Sequence, residues 1–370
     1  MKILVFPLDM DKAVGFINNA KALNIEVVGA SSVMTSADDF DVQSFHSLPF
    51  VTEQCFDGIF SELLTQQNIT HVYTPHAVIW SYLANFKTDV RCRVNFSLCD
   101  PSPYKADWLA LQPSFEWADR LLSDQVVENI AATSPLTLAK TLTKGQYASL
   151  HRQFLSISGQ CDDLKLLALA HIFRVLPQGD VVEIGSFTGR SAFAIGWLAG
   201  TYDIGNLVCV DPWDNKKVEG QGEGAAIINK EQEQGSDVVD FNQIFWSFIG
   251  AISLLGNVGY IKDISERAIS QYNAAATMGE LKSLELGTVA LTGQIAMLHI
   301  DGNHRYDYVC KDIEAWEPKV MPGGWILLDD YVWAFGDGPK IAGDELLLTG
   351  KFDVAFTMSD TLFLRKKAIS

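Results

Sequence analysis

The sequence is poor in positive charge. Its 28 lysines and arginines face 45 aspartates and glutamates, for a formal net charge of -17. Such a surface repels phosphate backbones and anionic lipid, so nucleic-acid or membrane binding would require a local basic patch. None is present: Lys216-Lys217 and Arg365-Lys366-Lys367 are short and isolated. The six cysteines are scattered and form no C-x-x-C pair. That spacing argues against a zinc knuckle or a disulfide framework and fits a reducing compartment. Long apolar runs are missing too. The stretch 1–6 is apolar apart from Lys2 but only one strand long, with Asp9 and Asp11 following, which is not the pattern of a signal peptide. The apolar stretch 245–261 contains Ser247, Gly250, Ser253, Gly256 and Asn257 and reads as a buried helix followed by a strand rather than a bilayer span. These absences lead to the expectation of a cytoplasmic protein with a small-molecule substrate and no nucleic-acid or membrane partner.

At 370 residues the chain is too long for one compact core. Three regions are expected: an N-terminal α/β domain over 1–130, a helical connector over 131–178, and a Rossmann-like domain over 179–370. In the first, strands at 2–6, 26–30 and 71–74 alternate with helices at 11–23, 53–67 and 78–86, implying a parallel sheet with helical crossovers. Its first strand-to-helix loop, Pro7-Leu8-Asp9-Met10, has no glycine. A dinucleotide pyrophosphate needs close backbone approach there, so this half is not read as a dinucleotide site. Phe45-His46-Ser47-Leu48-Pro49 and Thr74-Pro75-His76 resemble the N-terminal domain that precedes the catalytic part of ATP-grasp ligases. No ATP-grasp catalytic region follows, so the resemblance implies a recognition or assembly domain. The connector carries apolar residues at helical spacing over 146–156 and 163–176, and its last helix is expected to pack on the next sheet.

Beyond residue 180 the alternation is clean, with strands at 181–185, 207–211, 258–262, 296–300 and 325–329 that are nearly continuous apolar runs. That is the pattern of a parallel sheet covered on both faces. The last two strands, 351–357 and 361–365, are separated only by Met358-Ser359-Asp360, too short for a parallel crossover, so they must pair as a hairpin. A mostly parallel sheet ending in one reversed strand separates methyltransferase topology from the usual dehydrogenase topology.

Four constellations sit at strand ends. Gly185 in Glu183-Ile184-Gly185-Ser186 lets the chain turn off its strand, and Gly189, followed by Ser191, opens a helix whose N–H groups face the same crevice. Glu183 stands where a dinucleotide fingerprint has glycine and suits a cofactor with a cationic amino-acid head. Asp211 ends the next strand, where a carboxylate can accept from both ribose hydroxyls. Asp263 ends the third, where it either meets an adenine amino group or caps the helix at Ser265. Finally, Asp301, His304, Asp329 and Asp330 gather at two further strand ends. Three crowded carboxylates repel one another, and a divalent cation resolves the conflict; all-oxygen ligation points to Mg²⁺, with Ca²⁺ and Mn²⁺ as alternatives, rather than to zinc. His304 has the right chemistry to accept a hydroxyl proton near neutral pH. The other histidines, His299 inside a strand among them, are read as packing residues. Trp213, Tyr331 and Trp333 either line an acceptor pocket or pack in the core, and the glycine-rich stretch 219–235 is either a lid or a surface loop.

Together these residues resemble class I S-adenosylmethionine-dependent methyltransferases, within the metal-dependent group that includes macrocin O-methyltransferase and the cephalosporin-hydroxylase-like proteins. The most specific spans are 182–191 and 299–331. The resemblance implies that Glu183, Gly185, Ser186, Gly189 and Ser191 hold the methionine end of the cofactor. It further implies that Asp211 holds its ribose, that Asp301, Asp329 and Asp330 hold Mg²⁺, and that His304 is the base for O-methylation. Relatives often have Glu-Asp where Asp329-Asp330 stand, and the shorter Asp329 reaches less far. Two alternatives remain open at this point, a nicotinamide-dependent oxidoreductase and a non-catalytic binding or assembly protein with a methyltransferase shell. Oligomeric state is not fixed by the sequence; a homodimer is the working expectation.

Overall fold

The structure is a computed structural model that describes residues 1–214 and 240–368, apart from residues 35, 37 and 39. The glycine-rich stretch 219–235 therefore lies outside the described residues. The chain divides into two compact units, Met1–Pro113 and Ser114–Ser370. The helix Pro103–Ser123 runs across the division, which falls at Pro113 in its interior, where a backbone donor is missing. No helix among the described residues is long and apolar enough to cross a membrane.

The first unit holds a parallel five-stranded sheet in the order β3-β2-β1-β4-β5, formed by Lys2–Val5 (β1), Glu26–Ser31 (β2), Ser44–Ser47 (β3), His71–Tyr73 (β4) and Ser97–Leu98 (β5). The alternation expected for this region is present. The two additional strands, β3 and β5, are short and carry little apolar signal of their own. Apolar clusters cover both faces, one around Phe56 and Phe60 and the other around Leu8 and Ile17.

In the second unit the strands are Asp180–Ile184 (β6), Leu207–Val210 (β7), Val258–Ile261 (β8), the separate hairpin Glu280–Ser283 (β9) and Gly287–Ala290 (β10), then Ile295–Ile300 (β11), Val320–Leu328 (β12), Phe352–Met358 (β13) and Thr361–Lys366 (β14). Seven of them form one sheet in the order β13-β14-β12-β11-β6-β7-β8. Pairing is parallel throughout except at β14, which runs against both β12 and β13. The reversed final strand anticipated from the short link at 358–360 is thus in place. From β6 the chain steps outward to β7 and β8, then returns to the other side of β6 for β11 and β12. Strand order reverses between β6 and β11, and in open α/β sheets the crevice at such a point, beyond the carboxyl ends of the strands, is where ligands bind.

β6 and β11 are buried along their whole length, because helices cover both faces of the sheet. Side chains alternate strictly between the two faces. Val182, Ile184, Leu298 and Ile300 join one apolar cluster, while Val181, Met297 and Leu327 join the other. By the same parity Glu183, His299 and Asp329 project from the second face. The helix Asp163–Ile172, buried from Lys165 to Ile172, packs into the cluster on that face. It brings one ammonium group, Lys165, to the polar side chains.

Candidate active site at the strand tips

The crevice is closed by a backbone contact that only glycine permits. Gly185 follows β6 with φ +86°, and a Cβ there would lie 1.9 Å from the carbonyl oxygen of Asp301. Its N–H donates to the Val210 carbonyl at 2.8 Å, and the Asp301 N–H donates to the Ile184 carbonyl at 2.8 Å. The ends of β7, β6 and β11 are therefore laced together. Gly189, φ +90°, is the N-cap of the helix Arg190–Thr201. Ser186 and Ser191 are buried on either side of that turn. Phe187, at the apex, has φ +44° and a half-exposed ring.

Asp211 lies at the tip of β7, next to this turn. One carboxylate oxygen accepts the Phe187 N–H at 3.0 Å and the other accepts the Trp213 N–H at 2.8 Å. Burial pushes its carboxyl up to about 6, against the pull of those two donors. Trp213 packs in the core against Phe245 and Phe248 and donates Nε1–H to the Phe187 carbonyl at 2.8 Å. Its role is to brace the glycine turn from below, which resolves its reading in favour of packing. Asp263 is ion-paired with Arg267 one helical turn later and accepts from Gln271 at 3.0 Å. Its carboxylate is engaged by its own helix.

On the other side of the gap, His304 stands between two carboxylates. Its Nε2 is 2.9 Å from Asp330 Oδ2 and 3.7 Å from Asp301 Oδ1. Burial would lower its pKa, but Asp301 and Asp330 overcome that and raise it to about 10. Burial and the charge of Asp329 push the Asp301 carboxyl up to about 7. Trp333 meets the His304 ring edge-on at 4.6 Å and in turn packs on Phe335. Trp333 is thus the aromatic of the three that sits at the site. Tyr331 instead donates its hydroxyl to Asp344 at 2.5 Å. Asp330 has φ +51°, a conformation that costs an L-residue roughly 1–2 kcal/mol and that clusters at functional sites. Asp301, His304 and Asp330 offer ligand atoms all within 4.8 Å of one another. Two carboxylates and an imidazole at that spacing fit a divalent cation.

Asp329 and Glu183 belong to a second set that shares Asp301: ligand atoms of His299, Asp301 and Asp329 also lie within 4.8 Å of one another. Strand register places His299 beside Glu183, and His299 Nδ1 is 3.1 Å from Glu183 Oε1. His299 Nε2 is 3.6 Å from Asp329 Oδ2, which is also ion-paired with Lys165. Asp329 Oδ1 accepts from Thr361 at 2.5 Å. Glu183, His299, Asp329 and Lys165 are all nearly or wholly inaccessible to solvent. Burial would lower the His299 pKa, yet Asp329 and Glu183 raise it to about 9; Lys165 and His299 hold the Asp329 carboxyl well below the usual range despite its burial. The expectation that His299 merely packs is thereby corrected: it bridges two carboxylates. Glu183 faces this network rather than open solvent. Lys165 was missed from sequence, although one lysine within the otherwise apolar run 164–170 is itself a signal for an internal partner.

Residues 182–331 match the family model described as a methyltransferase domain. No curated protein matches the chain. Among solved structures, the O-methyltransferase NovP is similar at 16% identity, with 55% of this chain and 80% of NovP covered and a TM-score of 0.40. CalS11, a TDP-rhamnose 3'-O-methyltransferase of calicheamicin biosynthesis, is similar at 16% identity, with 75% and 99% covered and a TM-score of 0.32. MycE, from the mycinamycin pathway and in complex with Mg, S-adenosylhomocysteine and mycinamycin VI, is similar at 14% identity, with 60% and 54% covered and a TM-score of 0.37. The glycine turn, the acid at the β7 tip and the reversed β14 all lie within the unit that carries the family match. That unit therefore carries the stretch that is similar to a methyltransferase domain.

Proposed function

We propose that the second unit transfers a methyl group from S-adenosylmethionine to a hydroxyl of a small molecule, with Mg²⁺ held by Asp301 and Asp330. One observation carries this reading: the glycine turn after β6 touches the Asp301 backbone, so the cofactor loop and the carboxylate–histidine cluster lie side by side at the strand tips.

The turn 185–189, with Ser186 and Ser191, would receive the methionine end of the cofactor, and Asp211 its ribose. Glu183 supports that loop from beneath, through His299, rather than by touching the ligand. Asp263, tied to Arg267, is assigned at most a peripheral part in adenine recognition. When bound, S-adenosylmethionine supplies a methyl carbon made electrophilic by a sulfonium. A cation at Asp301 and Asp330 supplies positive charge that lowers the pKa of an acceptor hydroxyl. His304 is assigned as the base: a cation on Asp301 and Asp330 would neutralise the two carboxylates that otherwise keep the imidazole protonated, freeing Nε2 to take the hydroxyl proton, while Trp333 meets the ring edge-on. The strong negative charge of the chain disfavours polyanionic acceptors. Most of the rate gain would come from holding acceptor oxygen, base and cofactor in line and excluding water.

The test is methyl transfer from labelled S-adenosylmethionine to a panel of neutral hydroxylated scaffolds, with and without chelator, in the unaltered protein and His304→Ala. Transfer that needs Mg²⁺ and is lost in a variant still binding S-adenosylhomocysteine supports the reading. Transfer indifferent to both changes refutes it.

A further inference from the structure

Among the described lysines and arginines, Lys165 is the most deeply buried, with 2% of its surface exposed. An ammonium is retained in such a place only with a partner, and its partner is Asp329. The remaining capacity of that carboxylate is also directed to the chain itself. Thr361 donates to Oδ1 at 2.5 Å, and His299 Nε2 is 3.6 Å from Oδ2. A carboxylate binds a cation through these same lone pairs and through the same negative charge. Asp301 and Asp330 differ in both respects. Their side chains are 27% and 19% exposed and both reach His304, although Asp301 also has a ligand atom within 4.8 Å of Asp329 and His299. The three aspartates therefore do not form one equivalent cluster.

We propose that Lys165 is a positioning residue that holds Asp329 out of the coordination shell of the cation, leaving Asp301 and Asp330 as its two carboxylate ligands. The inference rests on the cation reading above and narrows it. The helix Asp163–Ile172 delivers a permanent positive charge to the β12 tip, where a third carboxylate would otherwise take part in holding the metal. Asp162 secures that delivery by capping the helix, accepting the Lys165 N–H at 2.8 Å. The resulting site carries less negative charge than three free aspartates would, and binds its cation correspondingly less tightly.

The probe is Mn²⁺ titrated into the full-length protein, with free Mn²⁺ read by electron paramagnetic resonance. The informative variant is the double change Lys165→Met/Asp329→Asn, which removes a buried ion pair as a unit and is generally close to neutral for stability. Its Mn²⁺ affinity is expected within about threefold of the unaltered protein, whereas Asp330→Asn should lose about tenfold or more. A tenfold loss in the double variant overturns the inference. A Mn²⁺-loaded crystal of the unaltered protein, located by anomalous scattering, gives an answer that does not depend on any variant folding. Metal on Asp301 and Asp330 with the Lys165–Asp329 pair intact supports the inference; an Asp329 oxygen on the metal overturns it alone. Absence of any Mn²⁺ uptake overturns the cation reading itself, and this inference with it.

Discussion

Gly185→Ala probes the backbone contact that makes the crevice. An alanine at φ +86° adopts the left-handed region at a cost of roughly 1–2 kcal/mol. Its methyl would also sit 1.9 Å from the Asp301 oxygen and 2.5 Å from the Asp301 carbonyl carbon. To restore ordinary contact, β6 and β11 would have to part by about 1.5 Å, and overpacking of that kind typically costs about 1–3 kcal/mol. The expected total is about 2–5 kcal/mol. Gly279→Ala is the control: its φ is +79°, it ends the helix Ser265–Met278, and a Cβ there meets nothing within 4 Å. That variant should lose only the conformational part. Urea unfolding of both, read beside calorimetric binding of S-adenosylhomocysteine, separates the terms. Gly185→Ala should be the less stable by at least about 1 kcal/mol and should lose ligand affinity, while Gly279→Ala keeps it. Equal destabilisation and equal affinity would refute the claim that the turn presses on the β11 tip.

Lys165→Met alone leaves Asp329 buried without its cation, and should lower unfolding free energy by about 3–5 kcal/mol in metal-free urea titrations. Adding Asp329→Asn should recover most of that loss. His304→Ala should lower kcat by roughly 10²–10⁴-fold while leaving S-adenosylhomocysteine affinity within error. Asp312 is buried, and its carboxyl is pushed up to about 7 by that burial, against a hydrogen bond from Ser265. A raised carboxyl pKa means that the folded state holds the proton more tightly than the unfolded chain does. The stability so contributed is full below the unfolded value near 3.9 and is lost as pH rises through about 7. Asp312→Asn should therefore unfold like the unaltered protein at the acid end and become the relatively more stable of the two by pH 8, as followed by thermal melts across that range.

The fold was legible where a strand is buried on both faces, because a continuous apolar run such as Ile295–Ile300 has few other readings. The reversed β14 was legible from the length of the link before it. Short or edge strands left less trace: β3 and β5 carry no buried residue, and the hairpin β9–β10 falls where no strand was expected. At the site, position along the chain revealed which side chains reach the strand tips but not how they divide among partners. Asp329 and Asp330 are neighbours in sequence, yet the turn off β12, with Asp330 at φ +51°, sends one to Lys165 and the other to His304. Asp263 similarly reached the expected strand end, only to be engaged by Arg267 four residues on. The likeness of the first unit to a domain preceding ATP-grasp ligases draws nothing from the family match, which begins at residue 182.

The most direct measurement of the central claim is isothermal titration calorimetry with S-adenosylhomocysteine and with NAD against the full-length protein and Asp211→Ala. The account requires one S-adenosylhomocysteine per chain, an affinity at least about tenfold weaker in Asp211→Ala, and no heat from NAD. Binding of NAD in place of S-adenosylhomocysteine, or S-adenosylhomocysteine binding that ignores Asp211, would contradict it.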